Sequence, residues 1–232
     1  MWYNSHQLEA VGYRVVALYA LLGLFIGVFL NLAADHLPQR RSVLTPPHCP
    51  NCRAQRAWRD AVPLRGLLVR RGGCSQCGAY LPLRWPVLEL VTMLSFGFFW
   101  LRYDPSVQLV LVTMYACALY LIFVIDLEHR LILRVVIYPA IGLALVGSYF
   151  YPGLGLRRAI LGGALAFSFF YLVAVVGKVV FRRTAMGRGD ANLAAFVGLI
   201  TGFPEVILAL IIAVSLGGFV ALVLVLSRKK GL

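Results

Sequence analysis

Seven apolar runs separated by short polar breaks organise the chain: 10–34, 87–101, 107–125, 135–151, 159–181, 191–203 and 205–227. A helix rises about 1.5 Å per residue and needs about 20 residues to cross a bilayer. Most of these runs therefore predict transmembrane helices, while 87–101 and 191–203 predict short or partly re-entrant ones. Gly202-Phe203-Pro204 splits the last two runs, which read as two spans. Pro105 marks a turn after Trp100 and Tyr103, and Pro152-Gly153 another after Tyr149, Phe150 and Tyr151. Those aromatics suit a membrane–water interface. The pattern predicts an all-α polytopic membrane protein of about seven transmembrane helices.

Composition agrees. The chain is 61% hydrophobic and 13% charged, against about 25% charged for soluble domains. A net charge of +13 would suggest nucleic acid in a soluble protein. In a membrane protein it reads first as basic loops on the cytoplasmic side, and no nucleic-acid partner is expected. Threading seven spans places eighteen of the twenty-two Lys and Arg residues on one side, in 35–86, 127–134, 178–190 and the tail. Arg14, Arg102, Arg157 and Arg158 fall on the other. The first run is too long for the apolar core of a signal peptide, and most of its flanking basic residues follow it, so it reads as a retained span. The expected division is a first transmembrane helix at 1–34, a cytoplasmic tetracysteine domain at 35–86 and a membrane-embedded region at 87–232.

The 35–86 segment carries Cys49-Pro50-Asn51-Cys52 and, twenty-one residues later, Cys74-Ser75-Gln76-Cys77. This C-x2-C-x21-C-x2-C spacing is close to that of a zinc ribbon, with two local disulfides or reduced thiols as the alternatives. Four thiolates close a tetrahedral site with no place left for water, so the metal is structural. Gly72, Gly73 and Gly78 suit the tight turns of such knuckles. His48 neighbours Cys49, but four sulfurs already fill the site. Cys117 lies in an apolar run and reads as a small buried residue.

Nine acidic residues remain to be weighed. Asp35, Asp60 and Asp104 read as solvated loop residues, and Glu9 and Glu128 as interfacial. Glu205 follows Pro204 at a helix start. Glu89 lies three residues into the second run, where capping, an arginine pair or a basic substrate are all open to it. Asp126 ends the third run in Phe123-Val124-Ile125-Asp126-Leu127, and Asp190 enters the sixth in Met186-Gly187-Arg188-Gly189-Asp190. The span count puts both at the cytoplasmic membrane edge. Asp190 suits a helix N-cap. Asp126 sits against a helix dipole and beside apolar neighbours, which favours its neutral form. A carboxylate pair biased in opposite directions can activate water and protonate a leaving amine. Gly187 and Gly189 supply a loop through which an extended peptide backbone reaches Asp190.

These residues resemble the type IV leader peptidase family of GxGD aspartyl proteases, the prepilin peptidases. The resemblance runs over almost the whole chain. Gly27-Val28-Phe29-Leu30-Asn31 through His36-Leu37-Pro38 is similar to the family's GSFLNV…RLP, with Val28 in place of serine. The two CxxC pairs match, with Trp58-Arg59-Asp60 and Pro63 between them. Arg84-Trp85-Pro86-Val87-Leu88-Glu89 resembles R-Y-P-x-x-E, and Asp126 and Asp190 align with the catalytic aspartates. Asn192 replaces the lysine of GxGDxKL, and Ile132-Leu133-Arg134 stands where members often carry Leu-Pro-Asp. Many members continue past the equivalent of Leu232 into an eighth helix.

The resemblance implies a bacterial inner-membrane peptidase that removes the short basic leader of prepilins or pseudopilins after a glycine, at the cytoplasmic face. It also implies methylation of the new terminus from S-adenosylmethionine, although no GxGxxG nucleotide fingerprint is present. A basic leader is expected to meet local acids at Glu89, Glu128 or Asp60. The rivals are a non-enzymatic zinc-ribbon membrane adaptor, a proton-coupled transporter and an intramembrane protease of another substrate class, against which the zinc loop speaks. The transporter is disfavoured because both aspartates fall at one membrane edge.

Overall fold

The computed structural model describes residues 5–39, 49, 52, 74, 76–78, 83–103, 105–181 and 187–228. These form seven α-helices and, among the described residues, no strand. They are α1 (Ser5–His36), α2 (Arg84–Arg102), α3 (Val107–His129), α4 (Arg134–Phe150), α5 (Gly155–Phe181), α6 (Arg188–Thr201) and α7 (Glu205–Arg228). Each apolar run becomes one helix. Among the described residues, three helical segments are long and apolar enough to cross a bilayer: Tyr13–His36, Val107–His129 and Gly155–Val179. The fold divides into two compact units, Met1–Leu131 and Ile132–Leu232. Asp60, Asp104 and most of the cysteine loop lie outside the described residues.

In the first unit, α1 and α2 meet along glycines. A methyl group built on Gly23 would stand 2.7 Å from the Thr92 carbonyl oxygen and 2.8 Å from Phe96 Cβ; one on Gly27 would stand 2.9 Å from Glu89 Cα. Glycines four residues apart let two backbones approach, the usual means of joining helices where lipid supplies no hydrophobic drive. Phe96, Ile125 and Ile122 fill the centre. The centroid of the Tyr19 ring lies 5.3 Å from those of both Phe96 and Trp100, tilted against each. Tyr19 Oη lies 2.8 Å from Thr113 Oγ1 and Ser95 Oγ 2.6 Å from Tyr120 Oη, joining α3 to α1 and to α2. The opposite face of α2, with Val87, Leu94, Phe98 and Leu101, is exposed, as a lipid-facing surface would be.

In the second unit, α5 and α6 pack through Gly162 and Gly198. A methyl group on Gly198 would stand 2.7 Å from the Gly162 carbonyl carbon and 2.9 Å from Ala166 Cβ. Ala166, Ala194 and Val206 form a small core with Phe170 and Leu210. Gly202 stops α6 with a φ of 74°, a value that favours glycine. Its N–H donates to the Gly198 carbonyl, and the Phe203 N–H donates to the Arg158 carbonyl at 3.0 Å. Pro139 lies inside α4, where its missing N–H leaves one carbonyl of the preceding turn for other donors.

Crowding at Gly198 makes a clear prediction. Gly198→Val should destabilise the protein by about 2–3 kcal/mol or more, because backbone faces the added atoms and cannot yield. Gly142, whose methyl would meet nothing within 4 Å, is the counterpart. Gly142→Ala should stabilise by roughly 0.5–1 kcal/mol through helix propensity. Thermal unfolding in detergent, read by circular dichroism, distinguishes the two.

Candidate catalytic and metal-binding sites

The four cysteines come together. Their sulfurs all lie within 4.8 Å of one another, with Cys49 Sγ 3.7 Å from Cys77 Sγ and Cys52 Sγ 3.8 Å from Cys74 Sγ. Ligands held tetrahedrally about 2.3 Å from zinc stand about 3.8 Å apart, so the donor set fits that ion. None of the four is in a disulfide. Gly78, at φ 68°, folds back so that its N–H donates to the Cys74 carbonyl at 2.9 Å, a turn that glycine makes without strain. Backbone N–H groups of Cys77 and Gln76 pull the Cys74 thiol down to about 6. The module thus presents a thiolate at neutral pH, the form that binds metal. Cys49 and Cys74 are buried, while Cys52 and Cys77 are exposed.

Asp126 lies in the last turn of α3. The helix closes when Arg130 turns left-handed, at φ 52°, and its N–H donates to the Asp126 carbonyl at 2.8 Å. Asp126 is exposed. The polar end of the first unit surrounds this turn. Arg84, the first residue of α2, pairs through Nη2 with Asp35 Oδ1 at 2.5 Å and through Nη1 with Glu128 Oε2. The His129 Nε2 stands 3.9 Å from the same Glu128 oxygen. Asp35 is therefore a residue of the last turn of α1 held in an ion pair, where the sequence suggested a solvated loop. Its partner lies 49 positions away, beyond any local signal. Glu128 likewise already has a cation.

Glu89 is fully buried between α1 and α2, beside Gly27. Because α2 opens at Arg84, Glu89 is its sixth residue and too far along to cap it. The Thr92 hydroxyl donates to the Glu89 carbonyl at 3.0 Å. Nearby, the Asn31 amide donates to the Trp85 carbonyl at 3.0 Å, so Gly27, Asn31 and Asp35 set one face of α1 against the start of α2.

In the second unit, Gly187 is the N-cap of α6 and Asp190 its third residue. This corrects the N-cap expectation for Asp190. The carboxylate instead reaches back, Oδ2 accepting from the Gly187 N–H at 3.1 Å, which meets one of the donors a helix start leaves over. Gly189 lies inside the first turn, where a methyl would come 2.7 Å from Ile132 Cβ. Close packing rather than loop freedom accounts for it. Gly187 has an ordinary extended conformation, φ −73°. Asp126 thus lies where α3 stops, and Asp190, in the other unit, where α6 starts.

Comparison with known proteins places these residues in a family. Residues 21–103 match the model described as the bacterial peptidase A24 N-terminal domain, and residues 111–222 the type IV leader peptidase family. Among curated relatives, a prepilin leader peptidase/N-methyltransferase of Myxococcus xanthus is 31% identical, over 90% of this chain and 63% of the relative. Proteins of the same name from Neisseria gonorrhoeae and Vibrio cholerae are 30% and 29% identical, covering 93% and 82% of this chain and 84% and 79% of the relatives. The chain thus spans less than two thirds of the Myxococcus protein. No solved structure matches it.

Proposed function

The chain belongs to the type IV leader peptidase family, and we propose that it cleaves the short basic leader from prepilins or pseudopilins at the cytoplasmic face of the bacterial inner membrane. The observation that carries this reading is the placement of Asp126 and Asp190 at helix ends, both inside the segment matching the peptidase model. In the proposed reaction one carboxylate takes a proton from water, which attacks the scissile carbonyl. The other gives its proton to the departing amine. Asp126 sits in the last turn of α3 and Asp190 in the first turn of α6, so each carboxylate stands at a helix terminus. Seven spans, with 87–232 as the membrane-embedded peptidase region, would put both aspartates and the cysteine module of 35–86 on the basic, cytoplasmic side. The four cysteines would hold zinc as a structural ion. The relatives' names also include N-methyltransferase, and on that ground alone methylation of the new terminus from S-adenosylmethionine is the proposed second activity.

The test is incubation of the purified chain, in detergent, with a prepilin. A product whose terminus follows a glycine, read by mass spectrometry, is expected. An intact prepilin after prolonged incubation would overturn the reading.

Glu89 and Gly187 are proposed to shape the surface that receives the leader, Glu89 from within the α1–α2 interface, while Gly189 is explained by its packing on Ile132. The burial of Glu89 changes how this must be tested, since a lysine there would place a charge in a closed interface and unfold it. Glu89→Gln keeps the shape. It should raise KM about tenfold, or ~1.4 kcal/mol, with the melting temperature retained. An unchanged KM removes Glu89 from leader recognition.

A further inference from the structure

We propose that Arg84 is a positioning residue for Asp126, holding the last turn of α3 in place against α1 and α2. This rests on the catalytic role proposed for Asp126. Three observations carry it.

The first is where the guanidinium sits. Its side chain is only 16% exposed, and it bridges carboxylates on two other helices, Asp35 at the end of α1 and Glu128 at the end of α3. A planar fork with donors on both sides can serve two carboxylates at once, which a single ammonium does less well.

The second is that Arg84 is a fixed post. α2 is seated on α1 by the close approach at Gly23 and Gly27. The Asn31 amide bound to the Trp85 carbonyl, at 3.0 Å, sets the register one residue from Arg84.

The third is that the turn it holds has little else of the kind. The link from α3 to α2 through Ser95 and Tyr120 lies six residues before Asp126, about 9 Å along the helix. Glu128 is two residues after it. Ile125 is buried, but Asp126 and Leu127 are exposed, and the helix ends at His129. A helix terminus frays unless tied down, and the Glu128–Arg84 pair is the tie.

The experiment uses the full chain in detergent and three readouts: amide hydrogen exchange across 126–131, melting temperature, and kcat and KM on a prepilin. In Arg84→Gln, exchange at the Arg130 amide, which now donates to the Asp126 carbonyl, should quicken about tenfold or more. The kcat should fall by about ten- to a hundredfold from misplacement of one carboxylate, with KM little changed. Arg84→Lys should recover part of the kcat. Arg102→Gln, at the far end of α2, should alter neither exchange nor kcat. Should Arg84→Gln fail to fold, Glu128→Gln cuts the same tie from the α3 side and leaves the Asp35 pair intact. Unchanged exchange in a folded variant overturns the proposal, as does faster exchange with kcat intact. Cleavage surviving in Asp126→Asn would instead bring down the catalytic reading, and the exchange result would show whether Arg84 orders the turn regardless.

Discussion

Asparagine at either Asp126 or Asp190 should reduce prepilin cleavage by about a thousandfold or more, the scale of a lost general acid or base. The substitution is chosen because it leaves the fold alone. At position 190 the amide oxygen can still accept from the Gly187 N–H, which the carboxylate meets at 3.1 Å, so α6 keeps its start. At position 126 the side chain is exposed, and removing a negative charge from a helix C-terminus is neutral or mildly stabilising. Melting temperatures should therefore stay near that of the unaltered chain. Groups that act as a unit are not additive, so the double variant should be hardly worse than either single one. Rates from quenched time courses, analysed by mass spectrometry, provide the measurement. Cleavage persisting in one variant would reduce the pair to a single functional acid. Persistence in both would leave the aspartates to packing.

The largest effect on stability should come from the cysteines. The purified chain should carry one zinc ion, measured by inductively coupled plasma mass spectrometry. Replacing the two buried ligands together, Cys49 and Cys74, by serine should abolish it. Metal-coupled folding of small zinc modules is worth on the order of 10 kcal/mol, so a protease should then cut within 35–86 much faster. Cleavage of prepilin should fall less than in the aspartate variants, since a four-sulfur site offers no position for a reacting water. Capture of zinc by the metal-free chain should weaken as pH drops below about 6, where the Cys74 thiol takes up its proton. A chain that binds no metal, or a double variant that keeps it, would refute the assignment.

The helices were legible because burial in lipid is written as uninterrupted apolar sequence. Even the break at Gly202-Phe203-Pro204 falls where the structure separates α6 from α7. What the pattern misjudged were helix ends, where polar residues belong to the helix for reasons of tertiary structure. α2 begins at Arg84 rather than 87 because Pro86 is tolerated in a first turn and because Arg84 has partners on α1 and α3. α6 begins at Arg188, which moves Asp190 inward from the cap. The four cysteines needed only their spacing to be found. The Asp35–Arg84–Glu128 network left no such trace, since its members come from three helices and each alone looks like an ordinary surface charge.

The shortness of α6 has a further consequence. Fourteen residues measure about 21 Å, against a hydrocarbon core of about 30 Å. A helix of that length cannot reach both faces of an undeformed bilayer. Under the proposed topology, either the Asp190 end lies beneath the headgroups or the lipid is pinched around it. Acyl-chain length then becomes a variable of the reaction: reconstituted in bilayers of graded thickness, the same polypeptide would hold its carboxylate at different depths relative to a substrate anchored in the same leaflet.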